Sequence, residues 1–139
     1  MKITLTTIFC SAIILCGCSK SPKPDALVLQ GTWTGQEIGA ASQNPASLVL
    51  VGTNLEYHGS NPQEWYKATY TLHEETMPKQ LDAVITDCPI PRYIGKTAHV
   101  IYKLEDGKLT MTGNEPGNPA VPPSFDAQAA RHMIFTQKQ

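Results

Sequence analysis

Trp65-Tyr66-Lys67-Ala68-Thr69-Tyr70-Thr71-Leu72-His73 alternates along its length, with Tyr66, Ala68, Tyr70 and Leu72 on one side and Lys67, Thr69 and Thr71 on the other. Side chains of an extended chain project to opposite faces with a period of two, so this segment reads as a strand with one apolar and one wet face. Ala98, Val100, Tyr102 and Leu104 repeat the pattern against His99 and Lys103. From Leu27 onward there is no helix-length amphipathic period. Short runs rich in Val, Ile, Thr and Tyr stand instead at residues 31–38, 46–51, 55–58, 65–73, 81–86, 98–104, 109–112 and 131–136, separated by Gly, Pro and Asn. The expectation is an all-β chain, a single small antiparallel up-and-down barrel of about eight strands.

Two joints carry a mechanism. Gly52-Thr53-Asn54 supplies residues that tolerate positive φ, and Glu105-Asp106-Gly107-Lys108 holds the Asp-Gly pair that a tight hairpin prefers, so the flanking runs pair as neighbours. Residues 113–129 contain Pro116, Pro119, Pro122 and Pro123 and cannot donate a regular ladder. They read as a long loop or lid before the last strand, with a helical turn expected at 124–130.

The amino terminus sets the address. An apolar stretch, residues 3–15, follows Lys2 and carries no charge before Lys20; interrupted by Thr4, Thr6, Thr7 and Ser11, it is too short for a comfortable membrane span. It has the form of a signal peptide over residues 1–17. Leu15-Cys16-Gly17-Cys18 resembles the lipobox of bacterial lipoproteins, with Cys16 where Ala or Ser is commoner. The resemblance implies a diacylglyceryl group on Cys18, cleavage after Gly17 and a further acyl chain such as palmitate. Several chains anchor stably where one holds only reversibly, since each buried methylene contributes about 0.8 kcal/mol. Ser19, rather than Asp, follows the cysteine. The expected address is the cell envelope, on the periplasmic face of an outer membrane where there is one.

Removing residues 1–17 from the 139 leaves 122, enough for one domain, with 10 basic against 12 acidic side chains. Residues 18–26 read as a polar, proline-containing tether and 27–139 as the domain. No basic patch points to nucleic acid. Cys10 and Cys16 leave with the signal and Cys18 is consumed by the lipid, so Cys88 stands without a disulfide partner. An exported domain without such staples must rest on its core. Cys88, in Asp87-Cys88-Pro89, reads as a strand-end cysteine, with a reactive or dimerising thiol as the alternative.

Leu29-Gln30-Gly31-Thr32-Trp33 opens the domain, and its Gly-x-Trp resembles the lipocalin signature. Residues 77–82, Met-Pro-Lys-Gln-Leu-Asp, are similar to a Pro-Lys-x-Ile-Asp strand entry. Residues 101–109 are similar to an Ile-Tyr-x-Leu-x-Gly-Asp-x-Leu hairpin. In this order the motifs resemble a conserved domain of unknown function abundant in planctomycete-type bacteria and often exported. Pro123-Ser124-Phe125 echoes its Arg-Pro-x-x-Phe, with Pro122 in place of the Arg. The resemblance implies a lipocalin-like barrel and carries no activity. In such a barrel Trp33 would plug one end by packing, and Gly31 would allow close approach of the backbone.

Candidate chemistry is sparse. His58, His73, His99 and His132 lack the local spacings of a zinc site, which leaves only a distributed site assembled by the fold, and solvated histidine is the default reading. No nucleophile elbow marks a serine, no glycine-rich phosphate loop occurs, and Glu74-Glu75 reads as a wet turn. No catalytic residue, metal ligand or cofactor is therefore assigned, and enzyme activity ranks below binding. Eight-stranded barrels either fill with side chains or hold one small ligand. The inward set proposed for a pocket comprises Tyr66, Tyr70, Leu72, Ile85, Val100, Tyr102, Met111 and Phe135, together with Ala68, Leu81 and Ala83; a solid core of the same residues is the alternative. The functional expectation is non-enzymatic binding of a small apolar ligand or envelope component. The alternative is a protein-interaction or inhibitor module that meets an envelope protein through residues 61–65 and 113–129.

Overall fold

The computed structural model describes residues 21–139; residues 1–17, expected to be a signal peptide, and Cys18 lie outside them. Eight strands close into one antiparallel barrel in which each pairs with its sequence neighbours and the last returns to the first. They are β1 (Gly31–Glu37), β2 (Ala46–Val51), β3 (Asn54–His58), β4 (Trp65–His73), β5 (Lys79–Asp87), β6 (Thr97–Glu105), β7 (Lys108–Gly113) and β8 (Arg131–Gln137). The all-β, up-and-down, lipocalin-like expectation holds. The short helix α1 (Asp25–Val28) precedes β1, and a single 3-10 turn, Pro91–Tyr93, interrupts the connection from β5 to β6. No helix among the described residues is long and apolar enough to cross a membrane.

Alternation explains the core. Ala68 and Tyr70 on β4, Leu81, Ala83 and Ile85 on β5, Val100 and Tyr102 on β6 and Met111 on β7 are buried, while Lys67, Thr69 and Thr71 are exposed. Both two-residue hairpins form. Val51 faces Asn54 across a turn whose Gly52 has φ 60°, and Glu105 faces Lys108 across Asp106 and Gly107, with φ 52° and 73°. In the 106–107 turn both central residues, and in the 52–53 turn the first, take the positive φ with which tight hairpins match strand twist.

Because every connection is a neighbour step, the loops fall at two ends. The hairpin turns at 52–53 and 106–107, the 74–78 loop and α1 share one end; the 38–45, 59–64, 88–96 and 114–130 connections share the other. The first end is shut. Trp33 is buried there and donates its indole N–H to the Leu29 carbonyl at 2.9 Å. Asp25, also buried, accepts from the Tyr102 hydroxyl at 2.9 Å and from Lys79 Nζ at 2.6 Å. That anchor fastens α1 to β5 and β6, so Asp25 and Ala26, which by sequence continue the tether, are helical. Burial first, then the hydrogen bond to Asp25, pushes the Tyr102 phenol well above its ordinary value, and it stays a neutral donor.

Glycine roles separate cleanly. Gly31 has φ +118°, which L residues rarely adopt, but a Cβ there would meet only Gln137 Nε2, at 3.4 Å. The close backbone approach assigned to Gly31 by sequence belongs to Gly35, where a Cβ would stand 1.9 Å from the Ile134 carbonyl oxygen. The long loop also differs from expectation. Residues 124–130 make successive turns, Ala127 N–H to Ser124 O and Ala130 N–H to Ala127 O, in place of a helical turn. The loop is strapped to the outer wall instead: Thr112 Oγ1 meets the Phe125 carbonyl at 3.4 Å, and Lys103 Nζ lies 5.2 Å from the Phe125 ring. The outward-alternating Ile101 and Thr112 are thereby fully buried.

Candidate functional site

The interior is not filled. A cavity of about 340 Å³ runs from the middle of the barrel to the end opposite α1. Its deep wall is apolar: Leu48 and Leu55 from β2 and β3, Leu81, Ala83 and Ile85 from β5, and Val100, Met111, Met133 and Phe135 from β6 to β8. The volume stands near the lower end of the roughly 300–1,000 Å³ typical of ligand pockets.

The mouth is aromatic and charged. Tyr57 and Tyr66 pack with ring centroids 6.3 Å apart, and Tyr66 and Tyr93 at 6.4 Å, making a tyrosine wall along one side. Arg131, half-buried at the start of β8, reaches into the same mouth, with Nε 3.1 Å from Glu37 Oε1 and Nη1 paired to Glu64. The Tyr57 hydroxyl donates weakly to Glu37 at 3.5 Å. Burial opposes the Arg131 charge, but the hydrogen bond to Glu64 and the charges of Glu64 and Glu37 more than compensate, holding the guanidinium above its usual value. Burial, reinforced by Glu37 and Glu64, pushes the Tyr57 phenol up; burial and Glu64 do the same to Tyr66. The phenols therefore offer neutral hydrogen-bonding groups at the lip. Tyr93 donates to Glu115, which ties the 88–96 connection to the start of the long loop.

Replacing Arg131 by Met is expected to leave Glu37 and Glu64 facing each other without their cation. At neutral pH this should cost about 1–2 kcal/mol of stability, less than a fully buried broken pair. Urea unfolding of both proteins at neutral pH reads this out; equal midpoints would contradict it.

Of the residues assigned to a pocket by sequence, Tyr66, Leu81, Ala83, Ile85, Val100, Met111 and Phe135 line the cavity. Tyr70, Leu72 and Tyr102 share their face but not their height. Tyr70 donates to the Gly52 carbonyl at 2.9 Å and Tyr102 to Asp25, both at the closed end, while Leu72 packs at the edge of the core. Trp33 plugs that same end. Leu48, Leu55 and Met133 of the deep wall also lie outside the set assigned by sequence, and Tyr57, Tyr93, Glu37, Glu64 and Arg131 are the mouth residues that sequence reasoning missed. Tyr57 had a signal, its two-residue step from Leu55; the others meet only through barrel closure.

The histidines do not converge. His73 Nε2 and His99 Nδ1 share Asp82 at 3.0 and 2.6 Å on the outer wall, His58 meets Glu56 at 2.7 Å, and His132 joins Thr112 to the Ala127 carbonyl. Three of the four are thus partly buried and hydrogen-bonded rather than simply solvated. Among the described residues no group of three or more His, Cys, Asp or Glu side chains could hold a metal ion. Cys88 is buried just past β5, with Sγ 3.0 Å from the Ile90 carbonyl. Comparison with family models, curated proteins and solved structures finds no match.

Proposed function

We propose that this chain is a lipid-anchored protein of the cell envelope whose barrel takes up one small, largely apolar molecule, without catalysing a reaction on it. The observation that carries the reading is the apolar chamber of about 340 Å³, closed at one end and opening beside the tyrosines and Arg131 at the other. An apolar body buried there loses contact with water at roughly 25 cal/mol per Å² of apolar surface. A polar end would remain at the lip, facing phenols and a paired guanidinium. The lipobox-like Leu15-Cys16-Gly17-Cys18 supports attachment of the chain to a membrane through Cys18, with the periplasmic face of an outer membrane as its place.

Native mass spectrometry of Cys18→Ser protein purified from its own host tests the binding. The expected spectrum holds a co-purifying small molecule released on activation. A clean apo mass from protein that also fails to take up neutral apolar probes would overturn the reading. A second reading is favoured by Ile38, Ile90 and Ile94, exposed on connections at the open end. An envelope protein would meet that rim, and cross-linking from position 94 in cells would capture it.

A further inference from the structure

Three large apolar side chains stand exposed at the closed end: Leu27 at 66 %, Val51 at 64 % and Met77 at 96 %. They belong to three separate segments, α1, the end of β2 and the 74–78 loop. Hydrogen bonds join those segments. The Ala26 N–H donates to Glu74 Oε1 at 3.3 Å, and the Gln30 amide donates to the Ala26 and Gly52 carbonyls at 2.9 and 3.2 Å while accepting from the Gly52 N–H at 2.7 Å. Single exposed apolar residues are ordinary. Three held on one bonded framework, at the end where residues 21–24 enter the fold, form a surface.

We propose that this closed end rests on the anchoring bilayer, with Leu27, Val51 and Met77 entering its interfacial layer and the mouth pointing away. The proposal rests on the reading of Cys18 as the lipid-bearing residue. Tether length selects the occupant. The seven steps from Cys18 to Asp25 reach about 24 Å when fully extended, and Asp25 is held at the closed end by Tyr102 and Lys79. Nine-residue strands tilted by about 40° make a barrel roughly 23 Å tall. With the mouth on the membrane, the tether would have to run the full height of the wall. With the closed end on the membrane it is slack.

Attachment also raises the effective concentration of this surface at the lipid, so a weak apolar contact suffices to set orientation. Charge at this end is mixed, Glu74, Glu75 and Asp106 against Lys23, Lys79 and Lys108. The contact therefore depends on apolar insertion rather than on anionic lipid. Ligand then reaches the chamber from the aqueous side or from an opposed surface, not from the leaflet that carries the anchor.

The test uses the full lipidated chain in vesicles of phosphatidylethanolamine and phosphatidylglycerol. An environment-sensitive fluorophore is placed on Met77→Cys or, at the mouth, on Ile94→Cys. Cys88 is buried and leaves the new thiol as the reactive one. The label at 77 is expected to shift to the blue and to be quenched by brominated lipids several-fold more strongly than the label at 94. Equal or stronger quenching at 94, or none at 77 in protein that floats with the vesicles, overturns the orientation while leaving the anchor intact. Protein that carries no acyl mass and does not float overturns the anchor itself, and this proposal with it.

Discussion

Phenylalanine at position 83 is expected to weaken uptake of a neutral apolar fluorophore at least tenfold, about 1.4 kcal/mol or more of binding free energy. Ala83 is buried on β5, lies in register with Tyr70 on β4 and Ala98 on β6, and lines the deep wall of the cavity. A ring built there occupies space that a ligand would need. In a filled core such an insertion costs about 1–3 kcal/mol through strained rotamers and backbone shifts. In a chamber with room for it, the ring meets apolar walls, and the melting temperature should stay within about 5 °C of the parent. Val84→Phe provides the control, because Val84 is next in sequence yet points outward and is exposed. Fluorescence titration of the three proteins, beside their thermal melts, separates the cases. Uptake by Ala83→Phe equal to that of the parent would place binding elsewhere.

Gly35→Ala is expected to be the most destabilising single methyl in the barrel. A Cβ at position 35 would stand 1.9 Å from the Ile134 carbonyl oxygen and 2.7 Å from both the Ile134 carbonyl carbon and Phe135 Cα, all backbone atoms that no rotamer change can move. Gly35 pairs with Phe135 where β1 meets β8, so relief must come from parting the seam that closes the barrel. A loss of about 3 kcal/mol or more follows, read by circular dichroism as a melting temperature roughly 10 °C lower. Gly39→Ala separates this clash from ordinary backbone strain: φ is +79° there, but nothing stands within 4 Å of the added Cβ. That change should cost only about 1–2 kcal/mol, the penalty of a left-handed conformation. Equal melts for the two variants would contradict the account of the seam.

These expectations show which parts of the molecule were legible in the sequence. Alternation in residues 65–73 and 98–104 gave the inward face directly, because the period of two is a property of the extended chain itself. Asp106-Gly107 gave its hairpin because positive φ at two successive positions has few residue solutions. Height along the barrel axis was not legible. It depends on strand stagger, so alternation alone groups Tyr70 and Tyr102 with Tyr66 although they seal the opposite end. Buried charge was hidden for a related reason. Asp25 sits in a polar, proline-containing segment and becomes buried only when Lys79 and Tyr102 arrive from β5 and β6. Glu37, Glu64 and Arg131 likewise lie far apart in the chain, and no local spacing announces a cluster built by closure.

The central claim is that the barrel interior is a chamber that admits an apolar molecule, and two methionines report on it from inside. Met111 and Met133 line the cavity, whereas Met77 is exposed at the other end. Protein labelled with carbon-13 at the methionine methyl groups, titrated with a medium-chain alcohol, gives separate signals for the three. Saturable shifts at Met111 and Met133 with Met77 unmoved are the predicted result. Shifts at Met77 alone, or none at any methionine up to the solubility of the alcohol, would contradict it.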